Sequence, residues 1–304
     1  MASAPLPARR AVTAAVCAYS LWGTMPVFFW FARGFSALEI ITLRILWSMA
    51  LLAIIVGIRR DWGRTLLLLR DQRILRALMM SGGLILSNWL LYTWAVLNGH
   101  VLAGSLGYFL NPLMNVALGI VVLGERLRPA QKAAVGLACV GVAVMAVAAV
   151  TTLWISLLLG ASFALYGLIR KTAPVGPLDG LTLETLLLAP VAVVSMISLV
   201  IHGTEQFGQA LVPSLATCAL GIMTTIPLLL FSVAARSLPL ATLGLIQYIA
   251  PTLVFILGIT LFDETLSAQQ LASFGIIWSA LALYTLDTVR AARQKSAEDI
   301  PAPL

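Results

Sequence analysis

Two charged side chains, Arg44 and Glu184, lie inside long apolar runs and are the residues best placed to do chemistry in this sequence. A charge within a bilayer is costly and faces a wet cavity or a partner. Arg44 follows Ser36 by eight residues, about 12 Å at the helical rise, which is far for snorkelling to the surface. Glu184 stands at an equal depth if its helix starts near Gly176; its plainer reading is a carboxylate near a helix N-terminus. Opposite charges so placed are expected either to pair directly or to hold a zwitterion, its carboxylate on Arg44 and its amine on Glu184.

Around them stand neutral polar groups. Asn88, Asn111, Asn115 and Gln247 are intramembrane amides that either bind helix to helix or line a cavity. Asn111 and Asn115 share a helix face and flank Pro112, where a kink is expected to free a backbone carbonyl. Tyr19, Trp22, Tyr92, Tyr108, Tyr166 and Tyr248 form a candidate aromatic wall, whereas Trp30, Trp62, Trp154 and Trp278 read as packing or interfacial belt. Glu125 and Glu264, at matched helix ends, read as structural.

Other chemistries find little support. His100 and His202 are the two histidines, both in loops, and Cys17, Cys139 and Cys218 are scattered within apolar segments. G-x-S-x-G, H-E-x-x-H and Walker A motifs are absent, so the chain reads as a non-enzyme without catalytic residues, metal or cofactor. Any coupling then draws on an ion gradient and not on nucleotide hydrolysis.

The elements that position these residues follow from composition. Apolar residues make up 61% of the 304 and charged residues 10%, with a mean hydropathy of +1.00. A soluble chain of this kind would expose large apolar patches. Spans are expected over 11–31, 36–58, 77–97, 101–123, 132–150, 152–169, 177–201, 212–235, 239–261 and 269–287. The first run is too long for a cleaved signal segment and has no small-residue cleavage site after it. Ser36 and Glu39 make a capping-box pattern, and Pro177 suits a first helical turn. Residues 289–304 read as a disordered cytoplasmic tail. The net charge of +7 reports topology, not nucleic-acid binding: 17 Lys and Arg fall on the side of the N-terminus and only Arg33 on the other, with Arg44 inside a span. Basic residues mark the cytoplasm, so both termini are expected inside, in a multi-pass protein of the cell inner membrane.

The chain also repeats itself. Pro112, Leu118, Gly119, Ile120, Glu125 and Leu127 match Pro251, Leu257, Gly258, Ile259, Glu264 and Leu266 at identical spacing. Ala18-Tyr19-Ser20-Leu21-Trp22-Gly23 resembles Ser162-Phe163-Ala164-Leu165-Tyr166-Gly167, and Thr42-Leu43-Arg44 aligns with Thr182-Leu183-Glu184. The expected fold is all-α: two five-helix repeats over 1–150 and 151–288. Five is odd, so the halves are inverted, an arrangement characteristic of secondary transporters.

Several blocks resemble the RarD branch of the EamA drug/metabolite transporter family. They include Ala18–Gly23, Gly104–Asn115, Leu123-Gly124-Glu125-Arg126, Tyr166–Lys171, Thr224-Thr225-Ile226-Pro227-Leu228 and Thr242–Pro251. The resemblance implies a ten-helix transporter of small organic solutes, with helices one to four and six to nine around a central cavity. Thr225 joins the candidate pathway on that ground. The branch carries a chloramphenicol-sensitivity label, which gives class without cargo. The expected partners are a small-molecule substrate and membrane lipid, with a homodimer left open. The rival reading is a membrane receptor or scaffold without a transport cycle.

Overall fold

The computed structural model describes residues 6–98, 100–261 and 267–298, and within them the chain is helical almost throughout. The helices are α1 (Ala8–Gly23), α2 (Met25–Phe31), α3 (Ala37–Ile58), α4 (Trp62–Leu67), α5 (Gln72–Leu97), α6 (Val101–Val121) and α7 (Pro129–Ala146). They continue as α8 (Leu153–Thr172), α9 (Pro177–Ile201), α10 (Leu211–Ser237), α11 (Leu240–Ile246), α12 (Ile249–Leu261) and α13 (Ala268–Glu298). Among the described residues ten stretches are long and apolar enough to cross a bilayer, with α1 and α2 counting as one and α11 and α12 as another. The protein is therefore a multi-pass membrane protein with the expected number of spans.

Three departures from the expected boundaries have physical causes. The third span begins at Gln72 because a polar turn carrying Arg73 and Arg76 extends the helix beyond its apolar part. The last helix runs to Glu298, well into the segment read as a disordered tail. Good helix formers there extend an existing helix, which avoids a new nucleation step; residues 299–304 lie outside the described residues. The ninth span breaks between Ile246 and Ile249. Pro251 has no N–H to give the Gln247 carbonyl, which instead accepts from Ala250 N–H (3.1 Å).

Contacts across the two halves come in exchangeable pairs. If α1–α2, α3, α5, α6 and α7 correspond to α8, α9, α10, α11–α12 and α13, then α6 on α8 is matched by α12 on α1. Likewise α5 on α8 is matched by α10 on α1, and α3 on α10 by α9 on α5. The pairs α3–α9, α6–α11 and α7–α13 map onto themselves. Close approach depends on small residues. A Cβ at Gly244 of α11 would lie 2.6 Å from the Pro112 carbonyl oxygen of α6. One at Gly221 of α10 would lie 2.3 Å from Cβ of Trp47 in α3.

Carboxylates fasten the connections. Ser36 Oγ accepts from Glu39 N–H (3.1 Å), half of the expected capping box. The Glu39 carboxylate turns elsewhere and accepts from the N–H groups of Gln206 (2.8 Å) and Phe207 (3.0 Å), between α9 and α10. Asp179, third residue of α9 as Glu39 is of α3, accepts from Thr65 Oγ1 of α4 (2.8 Å). Glu125 accepts from Leu240 and Ala241 N–H at the start of α11 (2.7 and 3.0 Å), a capping role. Glu264 lies outside the described residues.

Candidate functional site

A narrow cleft opens where α3, α5, α9 and α10 meet, so both halves build its wall. Ser48 comes from α3, Trp89 from α5, Glu184 from α9, and Thr224 and Thr225 from α10. The helices leave this gap because their closest contacts lie elsewhere, at glycine. Ser48 Oγ donates to the Gly221 carbonyl (3.2 Å), and Thr225 Oγ1 donates to the same oxygen (2.9 Å).

Arg44 sits at the margin of this cleft on two of its lining residues. Its Nε donates to Thr224 Oγ1 (2.9 Å), and the Thr224 hydroxyl donates in turn to the Leu220 carbonyl (2.7 Å). The guanidinium carbon lies 4.6 Å from the ring centroid of Trp89 and 6.0 Å from that of Phe29. Both are cation–π distances, so the charge is held by ring faces. The Tyr92 and Tyr108 hydroxyls lie within electrostatic reach.

Glu184 does not pair with Arg44. Its Oε2 stands 3.7 Å from Arg170 Nη1 and accepts from Ser81 Oγ at 2.6 Å. Arg170 lies near the end of α8 and Glu184 in the second turn of α9, so both sit toward the face that carries the N-terminus. Arg44 is counted from the other face. The expected direct pair is replaced by a nearer cation, and a substrate amine would meet a carboxylate whose charge Arg170 already offsets. Arg170 also donates from Nε to Ser232 Oγ (3.1 Å) and from Nη2 to the Pro177 carbonyl (3.0 Å). Tyr166, fully buried, sits beside Glu184 and Ser232.

Arg170 went unrecognised in the sequence because it precedes Lys171 at a helix end and counts there as a loop charge; it is 3% exposed. Its spacing of four from Tyr166 was the available signal. Lys171 does act at the end of the helix: its Nζ donates to the carbonyls of Ala235 (2.9 Å) and Leu238 (2.5 Å). Arg236 reciprocates from α10 to the carbonyls of Ala173 (2.8 Å) and Val175 (2.7 Å).

The amides divide. Asn115 Nδ2 donates to Gln247 Oε1 (2.9 Å) and Asn111 Oδ1 (3.2 Å), and the Tyr19 hydroxyl reaches the same Gln247 oxygen at 3.5 Å. Asn115, Gln247 and Tyr19 are buried where α6, α11 and α1 meet, and the Tyr248 hydroxyl donates to the Phe109 carbonyl (3.1 Å). Asn88 and Asn111 instead line a second, narrow cleft with Tyr108 and Phe163. Asn88 is still anchored to α8, donating to the Leu159 carbonyl (2.9 Å) and Ser162 Oγ (2.8 Å). Tyr92 and Tyr108 meet edge to face at 5.5 Å, and Tyr108 is half-exposed. Trp22 packs on Phe163 (5.7 Å) and Phe231 (5.9 Å). Asn88 and Trp89 are consecutive on α5, so the two clefts flank a single helix.

The model of the EamA-like transporter family matches residues 9–147. An uncharacterized transporter of Pseudomonas aeruginosa is 43% identical over 97% of this chain and 98% of its own length. Protein RarD of Escherichia coli is 40% identical over 95% of this chain and 98% of its own. Among solved structures, one protein matches with a TM-score of 0.69 at 20% identity, covering 92% of this chain and 98% of that one; this likeness speaks to fold alone.

Proposed function

Because the chain belongs to the RarD branch of the EamA-like transporter family, we propose that it is a secondary transporter moving small organic solutes across the cell inner membrane by alternating access. The observation that carries this reading is the cleft walled by α3 and α5 from one half and α9 and α10 from the other. A site shared by two inverted units changes sides when one rocks against the other. The exchangeable helix contacts support the two repeats over 1–150 and 151–288, and the family model spans one unit's length. The reading assigns the chain no catalytic step and no cofactor; its ligands are the solute and lipid.

Purified protein in vesicles should take up at least one solute from a metabolite mixture that protein-free vesicles exclude. In a cysteine-free background, Ser48→Cys labelled after folding with a bulky thiol reagent should cut that uptake about tenfold or more. Because the reagent is added to folded protein, misfolding does not enter the comparison. Vesicles that admit nothing would point to a receptor or scaffold.

We place both termini in the cytoplasm on the strength of the basic asymmetry, which does not depend on the buried Arg170. Single cysteines at His202 and Arg126, both exposed, should report opposite faces. An impermeant thiol reagent on intact cells should label His202→Cys and spare Arg126→Cys. Labelling of Arg126→Cys would reverse the orientation.

A further inference from the structure

We propose that Arg44 is the anchor for the charged group of the solute, and that the cleft selects organic monoanions, a carboxylate on an apolar or aromatic body. The proposal rests on the transporter reading and deepens it. Arg44 is only 9% exposed, yet among the described residues Nε is the only one of its nitrogens with a hydrogen-bond partner. Among the described residues the two terminal nitrogens are neither bonded nor sealed from solvent, so a planar fork of donors is left free beside Thr224 and Trp89, which line the cleft. Among the described residues the ion pairs are Arg59–Asp61, Arg128–Asp287 and Arg170–Glu184, and none involves Arg44.

A buried guanidinium stays charged, so its countercharge must come from outside the protein. Two carboxylates lie near enough in the fold to be rivals. Glu184 is committed to Arg170 and Ser81. Glu39, five residues earlier on α3, has one oxygen committed to two backbone N–H groups and points to the α9–α10 connection. One uncompensated positive charge therefore stands at the margin of the cleft. A single fork matches one carboxylate bidentately. A dianionic phosphate would leave a charge unmatched, and a zwitterion's amine would meet only Glu184, whose charge Arg170 already offsets. The body of the ligand is prescribed by the neighbours: Trp89 and Phe29 flank the guanidinium, and Tyr92 and Tyr108 lie beyond it. Flat or apolar groups bury well against such rings.

The test uses the full chain in lipid nanodiscs with benzyl, indolyl and octyl compounds. Each is offered as carboxylate, uncharged amide, primary amine and amino acid, and binding is read by titration. At least one carboxylate should bind about tenfold or more tighter than its amide and its amine, the difference expected of one charge-assisted contact. Arg44→Lys should keep the thermal stability of the native chain and lose about tenfold for that carboxylate, with amide binding unchanged. Arg44→Gln should erase the preference altogether. Equal affinity for carboxylate and amide, binding of no carboxylate in the panel, or a preference that survives Arg44→Gln would overturn the proposal. Vesicle uptake of a neutral or cationic solute, unchanged by Arg44→Gln, would overturn the charge assignment alone and leave the transporter reading standing.

Discussion

Arg170→Met is expected to be the most destabilising change in the polar interior, by about 3–5 kcal/mol, the cost of leaving one member of a buried ion pair uncompensated. Arg170 is tied to Ser232, to the Pro177 carbonyl and to Glu184, and so joins α8, α9 and α10 at one level. Methionine fills much of the volume and supplies none of these donors. Glu184, 2% exposed, would then keep Ser81 but lose its countercharge. The measurement is equilibrium unfolding in mixed detergent, with Glu184→Gln and the double variant completing a cycle. The double variant should recover much of the loss, because a neutral amide in that position strands no charge. A cost near 1 kcal/mol for Arg170→Met, or simple additivity, would mean that the pair is incidental to holding these helices together.

Gly244→Val should prevent α11 from seating on α6. The new Cβ alone would lie 2.6 Å from the Pro112 carbonyl oxygen and 3.0 Å from Asn115 Cβ. A backbone oxygen cannot rotate out of the way, so one helix must shift. Three residues further on, that shift parts Gln247 from Asn115. The expected loss is about 3 kcal/mol or more, the upper range for overpacking a tight contact. Yield of monodisperse protein and thermal midpoint both report it. Gly275→Ala is the control, since its added Cβ meets nothing within 4 Å. It should be neutral or slightly stabilising. Equal behaviour of the two variants would contradict the close packing of α6 and α11.

The contrast between Arg44 and Arg170 shows what could be read from the sequence. Arg44 stands out because apolar residues surround it on both sides for a full span. Arg170 is buried too, but Lys171 and Thr172 follow it at a helix end, and only the fold reveals that α9 and α10 close over it. The partner of Glu184 is therefore visible only in the fold, although Glu184 itself stands out in the sequence. The spans were legible because bilayer thickness fixes their length. The amides were legible as polar groups in apolar helices, but their division between the contact around Gln247 and the cleft beside Asn88 depends on helix rotation. A sequence with apolar residues all round each helix carries little rotational signal. Phe29 and Trp89 were hidden for the same reason: an aromatic ring that serves a cation looks like any other in a lipid-rich sequence.

Glu39 and Asp179, at the third positions of α3 and α9, act as a balance. Each fastens its own helix to a connection of the other half, one at each face of the bundle. On the alternating-access reading, opening one face means releasing one fastening while the other holds. What decides the resting orientation is then the difference between the two, not their sum. Two amide donors hold Glu39, and one hydroxyl holds Asp179. Close by on that face, Lys171 and Arg236 cross-link the ends of α8 and α10. Each difference of about 1.4 kcal/mol shifts the ratio of the two orientations tenfold. Relatives with the same cleft could thus idle facing opposite compartments through a change at a single donor, and would differ in apparent affinity from each side without any change in the residues that touch the solute.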